Sequence, residues 1–161
     1  MISLTLCDEE GPMPIKDYSQ TDVVTVSPQA LIIDAAQQMV ENHVGCLVVV
    51  EDEKPVGILT DRDIVRRIIV PGKDPKQTPV SEAMTPHPIT MDQDGGIFDA
   101  ISTMSDEGVR RLPLIDESGR LAGLVAFDDL LLLLGSELVN LAGISPTERY
   151  RERYQASAHR V

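Results

Sequence analysis

The sequence predicts an α+β protein, with α/β character, built from two tandem β-α-β-β-α units and a C-terminal helix. The first observation is a repeat: segment 25–65 returns as 90–131, with Thr25 matching Thr90 and Asp34 matching Asp99 at one constant separation. The second is that each copy holds one stretch with helical apolar spacing and two short apolar runs around a polar turn. A repeated unit buries its apolar face against its copy, and ligands often bind at the seam.

The first copy opens with Ser27-Pro28, which has the form of a helix N-cap followed by a first-turn proline. Apolar residues then recur at helical spacing, so a helix is expected over about residues 28–42. The elements expected after it are a strand at Cys46–Val50, a return strand at Val56–Leu59, and a short helix from Thr60 to Pro71-Gly72.

The second copy repeats this order. It contains a helix around residues 97–104 that stops at Gly108, and then strands at Arg111–Ile115 and Leu121–Val125. Further on, the residues Ser-Pro-Thr-Glu from Ser145 form a capping box, which predicts that another helix starts there. We therefore divide the chain into a first unit at 14–75, a second unit at 76–144, and a C-terminal helix and tail at 145–161.

Composition restricts the class of protein. The chain has 161 residues, 42% apolar content and a formal net charge of −12, which argues against a broad nucleic-acid or anionic-membrane surface. No apolar run is long enough to span a bilayer, and the N-terminus lacks the basic region of a signal peptide. The two cysteines show no metal or disulfide spacing, which fits a reducing compartment. We expect a cytoplasmic protein without nucleic-acid or membrane partners.

One motif, Gly57-Ile58-Leu59-Thr60-Asp61-Arg62-Asp63, joins a strand to a helix. Backbone N–H groups at a helix start are expected to point out unpaired and to attract an anion. Thr60 can donate to a phosphate, Asp63 can accept from two ribose hydroxyls, and Arg62 can add a charged contact. Gly57 would leave room for a base. The same Thr-x-x-Asp spacing also resembles a capping box, which stabilises a helix by about 1 kcal/mol without a ligand.

The second copy departs from this motif. It keeps Gly123 and Asp129 but has Ala126 where the first copy has Thr60. A phosphate contact through a hydroxyl is therefore not expected there, and Asp129 either holds a ribose or only complements the helix dipole. The two sites are predicted to be unequal.

Other residue types give no sign of catalysis or metal binding. His43, His87 and His159 lie far apart and show no ligand spacing, so no metal site is predicted. No nucleophile stands beside a base with a third supporting residue, so no catalytic residue is predicted. His87, between Pro86 and Pro88 in the lead-in to the second copy, is a candidate for lining a cleft.

The chain resembles a tandem pair of CBS (cystathionine-β-synthase) domains over about residues 14–135. This extent leaves no separate catalytic domain, so the chain looks like a stand-alone pair of bacterial type. The segments that carry the resemblance, in family order, are Ile15–Asp17, Asp22–Pro28, Asp34–Ala36, Gly57–Asp63, Val80–Pro86 and Val109–Asp116.

The resemblance implies two units related by a pseudo-twofold axis, with two clefts between their sheets. It also implies disc-shaped homodimers formed through helices, and clefts that take AMP, ADP, ATP or S-adenosylmethionine rather than a cofactor. Arg110 and Arg111 stand on the strand where the family lines a cleft, and the first copy has Gly45-Cys46 in their place. Val44 and Gly45 are therefore counted among the candidate ligand-binding residues.

Two functions follow as hypotheses. The first is a regulatory module that senses an adenosine-containing metabolite and modulates an unknown partner. The alternative is a dimerising scaffold that acts without a ligand and keeps only vestigial clefts. Enzyme activity is not expected. The leucine run Leu130–Leu134 is expected to serve either as a homodimer interface or as core within the unit.

Overall fold

The computed structural model describes residues 14–158, with side chains described up to residue 143. Cys7 and His159 lie outside the described residues. No helix within the described range is long and apolar enough to cross a membrane. The chain forms two sheets, one of four strands and one of three, each covered by helices.

The first unit follows the predicted order of elements. Antiparallel pairing joins its two long strands into a hairpin, and the turn residues Asp52 and Glu53 both have positive φ. A parallel pairing adds the short first strand at the edge. The elements are β1 (Thr25–Val26), α1 (Ile32–Glu41), β2 (Cys46–Glu51), β3 (Lys54–Thr60) and α2 (Asp61–Ile64), which continues as a π-helical turn at Val65–Ile69.

The second unit copies this arrangement after a linking strand, β4 (Thr85–Pro86). Gly108 ends its first helix with φ 65°, the left-handed conformation expected of a glycine at that position. The elements are β5 (Met91–Asp92), α3 (Ile97–Glu107), β6 (Arg111–Ile115), β7 (Leu121–Ala126) and α4 (Phe127–Ala158).

The two units exchange their lead-in segments. Ile15, from the start of the described chain, is fully buried in the core of the second unit, and Gln20 bridges to Leu124 on β7. Val80 and Ala83, which precede the second repeat, are buried in the first core, and β4 pairs with β3. The exchange is reciprocal, so neither core is complete without a segment from the other repeat.

Two predicted helix starts are wrong. The α1 helix begins at Ile32 rather than near residue 28, because Ser27 caps a turn by accepting the Gln29 N–H at 3.2 Å. After this turn the backbone is extended at Leu31, which bridges to Pro79. No new helix begins at Ser145, because α4 runs unbroken across that position. Extending an existing helix is easier than nucleating another, so the capping signal is not used as a start.

Candidate ligand-binding site

Thr60 and Asp63 form a closed pair at the junction of β3 and α2. The Thr60 hydroxyl donates to Asp63 Oδ2 at 2.6 Å, and the Thr60 N–H donates to the same oxygen at 3.1 Å. The Asp63 N–H in turn donates to Thr60 Oγ1 at 3.1 Å. This is a complete capping box, and both side chains are only partly exposed.

The unpaired N–H groups expected at the start of α2 are not found. Besides the two N–H groups of the capping box, the Asp61 N–H donates to Gly45 O at 3.1 Å and the Arg62 N–H donates to Asp61 Oδ1 at 2.7 Å. Local side chains and a neighbouring carbonyl have therefore already satisfied this end of the helix. An anion at this position depends on side-chain cations, not on free backbone donors.

Gly57 serves a close crossing of two chain segments. A Cβ at this position would lie 2.5 Å from the Met84 sulfur and 3.2 Å from the Thr85 carbonyl oxygen. The glycine thus lets the exchanged lead-in pass over β3, and Met84 fills the space that the sequence suggested for a base. Gly123 plays the matching part in the second unit, where a Cβ would lie 2.8 Å from Ser19 Oγ.

Arg67 belongs to this site and was missed by the sequence analysis. Its guanidinium Nη1 donates to the carbonyls of Ala83 and Met84, both at 2.7 Å, and Nη2 donates to Thr85 Oγ1 at 3.2 Å. Nη2 also lies 3.5 Å from Asp63 Oδ1. The i,i+4 spacing from Asp63 was visible in the sequence, but the exchanged segment that Arg67 grips was not.

The other residues predicted around Thr60 have different surroundings. Gly45 lies next to α2 through its carbonyl and would place a Cβ 3.4 Å from Asp61 Oδ2. Val44 is half-buried and packs against the first core. Arg62 is exposed on the first turn of α2. Of these three residues, only Arg62 has an exposed side chain that carries charge at this end of the helix.

Asp129, the counterpart of Asp63, is held more loosely. Its Oδ2 accepts the Ala126 N–H at 3.2 Å and the Gln20 side-chain amide at 3.5 Å. Ala126 supplies no hydroxyl, so only half of the capping box is present. Gln20 comes from the exchanged lead-in, so this carboxylate also contacts the other repeat.

The two arginines on the strand of the second unit differ in their positions. Arg110 is exposed, pairs with Asp128 at 3.2 Å, and lies over the Phe127 ring at 5.6 Å. Arg111 is half-buried, and its charge reaches Cys46 on β2. Of these two arginines, Arg111 is therefore the one whose charge acts on a residue of the first unit.

Cys46 reports the electrostatics of this junction. Burial raises the pKa of its thiol to about 11, Arg111 opposes that rise, and the carboxylates of Asp63 and Asp61 add to it. Cys46 is also the β2 partner of Thr60 in the sheet. The Asp63 carboxylate of the first unit and the Arg111 charge of the second unit thus both act on this thiol.

His87 and Pro88 line a different region. They border a cavity of about 750 Å³ at the Lys54 end of β3, together with Pro55 and Gly119. Among the described residues, neither Thr60 nor Asp63 lines this cavity. A smaller cavity of about 280 Å³, bordered by Thr21, Val50 and Leu121, occupies the corresponding place on the other side. The structure therefore separates His87 and Pro88 from Thr60 and Asp63, which lie at opposite ends of β3.

Comparisons with known proteins identify both repeats. The family model described as the CBS domain matches residues 15–70 and again 80–136. The CBS domain-containing protein YhcV of Bacillus subtilis is 39% identical over 134 residues, covering 80% of this chain and 94% of that protein. An uncharacterized protein of Methanopyrus kandleri is 35% identical over 118 residues, covering 73% of this chain but only 60% of its own length.

A solved structure shares the fold at lower identity. The crystal structure of CBSX2 in complex with AMP superposes with a TM-score of 0.70 at 22% identity, covering 78% of this chain and 98% of that one. The two matched repeats, the reciprocal lead-ins and the strand-to-helix motifs agree with one another: the chain belongs to the CBS domain family, as a tandem pair.

Proposed function

We propose that this CBS pair is a regulatory module that binds an adenosine-containing ligand beside Thr60 and Asp63. The observation that carries the proposal is the hydroxyl–carboxylate pair, which is joined at 2.6 Å, is partly exposed, and lies beside Cys46, on which the Arg111 charge of the second unit acts. The AMP complex of CBSX2, which has the same fold, supports the choice of ligand class.

The chemistry of the pair suits a ribose. A carboxylate can accept two hydrogen bonds from vicinal hydroxyls. In the ligand-free protein, Asp63 Oδ2 accepts a hydrogen bond from the Thr60 hydroxyl. A ribose hydroxyl can take over that bond and free the Thr60 hydroxyl to donate to a phosphate or to the ribose itself. Because one hydrogen bond replaces another, the exchange has little net enthalpic cost. Arg111 and the exposed Arg62 are the side chains to meet phosphate oxygens.

The ligand class is AMP, ADP, ATP or S-adenosylmethionine, bound without a further cofactor. The cleft near Asp129 is the weaker site, because Ala126 offers no hydroxyl and Arg110 is engaged with Asp128 and Phe127 at the surface. We place the protein in the cytoplasm, in keeping with the buried, unpaired thiol of Cys46.

A second role, as a dimerising scaffold, is favoured by the exposed face of α4. Leu132 and Val139 are 75% and 72% exposed, and Leu131, Leu138 and Leu141 share the same exposed helix. A large exposed apolar face of this kind marks an interaction surface. We propose that it forms a homodimer, through which ligand binding is passed to a regulated protein partner. In a pure scaffold the dimer would persist and no adenosine compound would bind.

Calorimetric titration with AMP, ADP, ATP and S-adenosylmethionine tests the proposal. We expect at least one of these compounds to bind, and the Thr60→Ala/Asp63→Asn double variant to lose affinity by about tenfold or more. Glu107→Gln, an exposed acid at the end of α3, is the matched control and should bind like the unmodified protein. Unchanged affinity in the double variant, or no binding of any of the four compounds, contradicts the proposal. The second of these results favours the role as a dimerising scaffold.

A further inference from the structure

Arg67 connects two features of the fold. One is Asp63, the carboxylate of the candidate site. The other is the exchanged lead-in at 83–85, whose two carbonyls and one hydroxyl accept hydrogen bonds from the same guanidinium. The Arg67 side chain is 41% exposed and that of Asp63 is 17% exposed, so the ion pair is partly shielded from water.

The geometry suits a clamp rather than an incidental surface contact. Both Nη1 bonds are 2.7 Å long, and they reach successive carbonyls just before β4 enters the first sheet. A planar guanidinium can bind several acceptors at once in a fixed arrangement, whereas a lysine acts as a single point charge. Arg67 therefore fixes the position of the lead-in relative to the Asp63 carboxylate.

Among the described residues, the second repeat has no counterpart of this clamp. Four residues after Asp129 stands Leu133, which is partly buried against the second core. There the lead-in contacts the carboxylate directly, because the Gln20 side-chain amide donates to Asp129 Oδ2 at 3.5 Å. Within residues 14–143, only the first repeat joins its carboxylate to the exchanged lead-in through a charged side chain that binds several acceptors.

We propose that Arg67 is a positioning residue that couples ligand binding at Asp63 to the lead-in of the second repeat. The inference rests on the proposed function and names its regulation. When a ribose hydroxyl binds Oδ2, Arg67 keeps Oδ1 in place, so the carboxylate is held ready for the ligand. By thermodynamic linkage, a ligand that orders Asp63 also tightens the hold of Arg67 on the lead-in. The signal leaves the site along β4, toward the second unit.

Hydrogen exchange of the lead-in amides, combined with AMP titration, tests the coupling. The reporters are the Met84 N–H, bonded to Val80 O, and the His87 N–H, bonded to Val56 O. In the unmodified protein, saturating AMP should slow their exchange. In Arg67→Met, AMP affinity should fall on the order of tenfold, and AMP should no longer slow the remaining exchange. Arg67→Lys should recover part of the affinity and little of the protection.

Arg66→Met is the matched control, because this exposed neighbour belongs to the same helical turn and should change neither readout. If Arg67 only staples the lead-in, Arg67→Met will speed exchange with and without AMP while leaving affinity and AMP-induced protection unchanged. That result overturns the coupling.

Failure of the proposed function is distinguishable from failure of the coupling. If the unmodified protein does not bind AMP, Asp63→Asn in the ligand-free protein decides the matter. Loss of the carboxylate charge should loosen Arg67 and speed exchange at Met84 and His87 severalfold. Unchanged exchange in that variant overturns the coupling whether or not a ligand binds, and this readout does not require Arg67 variants to fold.

Discussion

The two repeats fold alike but hold their aspartates differently. Asp63 accepts from a hydroxyl and a backbone N–H and pairs with Arg67, whereas Asp129 accepts from one backbone N–H and from Gln20. The bond that both share comes from the main chain, which every residue except proline supplies. The two junctions therefore share a hydrogen bond from the main chain, while the side chains around each aspartate differ.

A second difference separates the two cavities. The Leu121 N–H donates to Glu53 O at 2.9 Å, and Arg120 lies 3.4 Å from the Glu53 carboxylate, so the turn of the first unit is tied to the second. Pro55 stands at the place equivalent to Leu121 and has no N–H to offer the turn containing Gly119. The cavity on the proline side is about 750 Å³, against about 280 Å³ on the tied side. The larger cavity therefore lies on the side where Pro55 has no N–H to donate to the opposite turn.

The largest effect is expected from replacing the glycine that, in each repeat, lets a lead-in pass close to a strand. Gly57→Val should destabilise the protein by about 1–3 kcal/mol, because the added atoms overlap Met84 and the Thr85 carbonyl. Gly123→Val should do the same against Ser19 and Gln20. Chemical denaturation measures both. The control is Gly135→Ala, at an open position on α4, which should be neutral or slightly stabilising. Unchanged stability in both valine variants would show that the exchanged lead-ins do not cross as described.

An intermediate effect is expected from exchanging the residue that differs between the two junctions, threonine at position 60 and alanine at position 126. Thr60→Ala should lower the free energy of unfolding of the ligand-free protein by about 1 kcal/mol, since the capping box loses its hydroxyl. Ala126→Thr should raise it by about 0.5–1 kcal/mol, because the Ala126 N–H already donates to Asp129. Denaturant melts of the two variants provide the measurement. A destabilising Ala126→Thr would mean that the second site cannot accept the first site's cap.

The smallest expected effect concerns Cys46, which stands where the second repeat has Arg111. The folded pKa of about 11 lies above the ordinary thiol value of 9.0, so the contribution of the thiol to stability is full below pH 9 and is lost as pH rises toward 11. Comparing unfolding of the unmodified protein and Cys46→Ala from pH 8 to pH 11 measures it. The stability difference should shift in favour of Cys46→Ala at high pH, and a constant difference would contradict the burial of the thiol.

The sequence predicted the repeated elements because their signals are local. Alternating apolar runs, polar turns and Gly108 act within a few residues of themselves, and the strands β2, β3, β6 and β7 lie where expected. The helix starts at residue 28 and Ser145 were wrong because contacts beyond the local segment, or an existing helix, overrode the capping signals. Placing the predicted site residues in a common ligand site remains a prediction.

By itself, the sequence determined that the chain duplicates one unit, which residues stand at the two strand-to-helix junctions, and that Ala126 makes the second junction poorer. Those conclusions need only the order and chemistry of neighbouring residues. The exchange of lead-ins, the grip of Arg67 on residues 83–85, and the approach of the Arg111 charge to Cys46 were decided only by the tertiary structure. Each brings together segments distant in the chain, and such pairings depend on how two cores pack together, which no local pattern records.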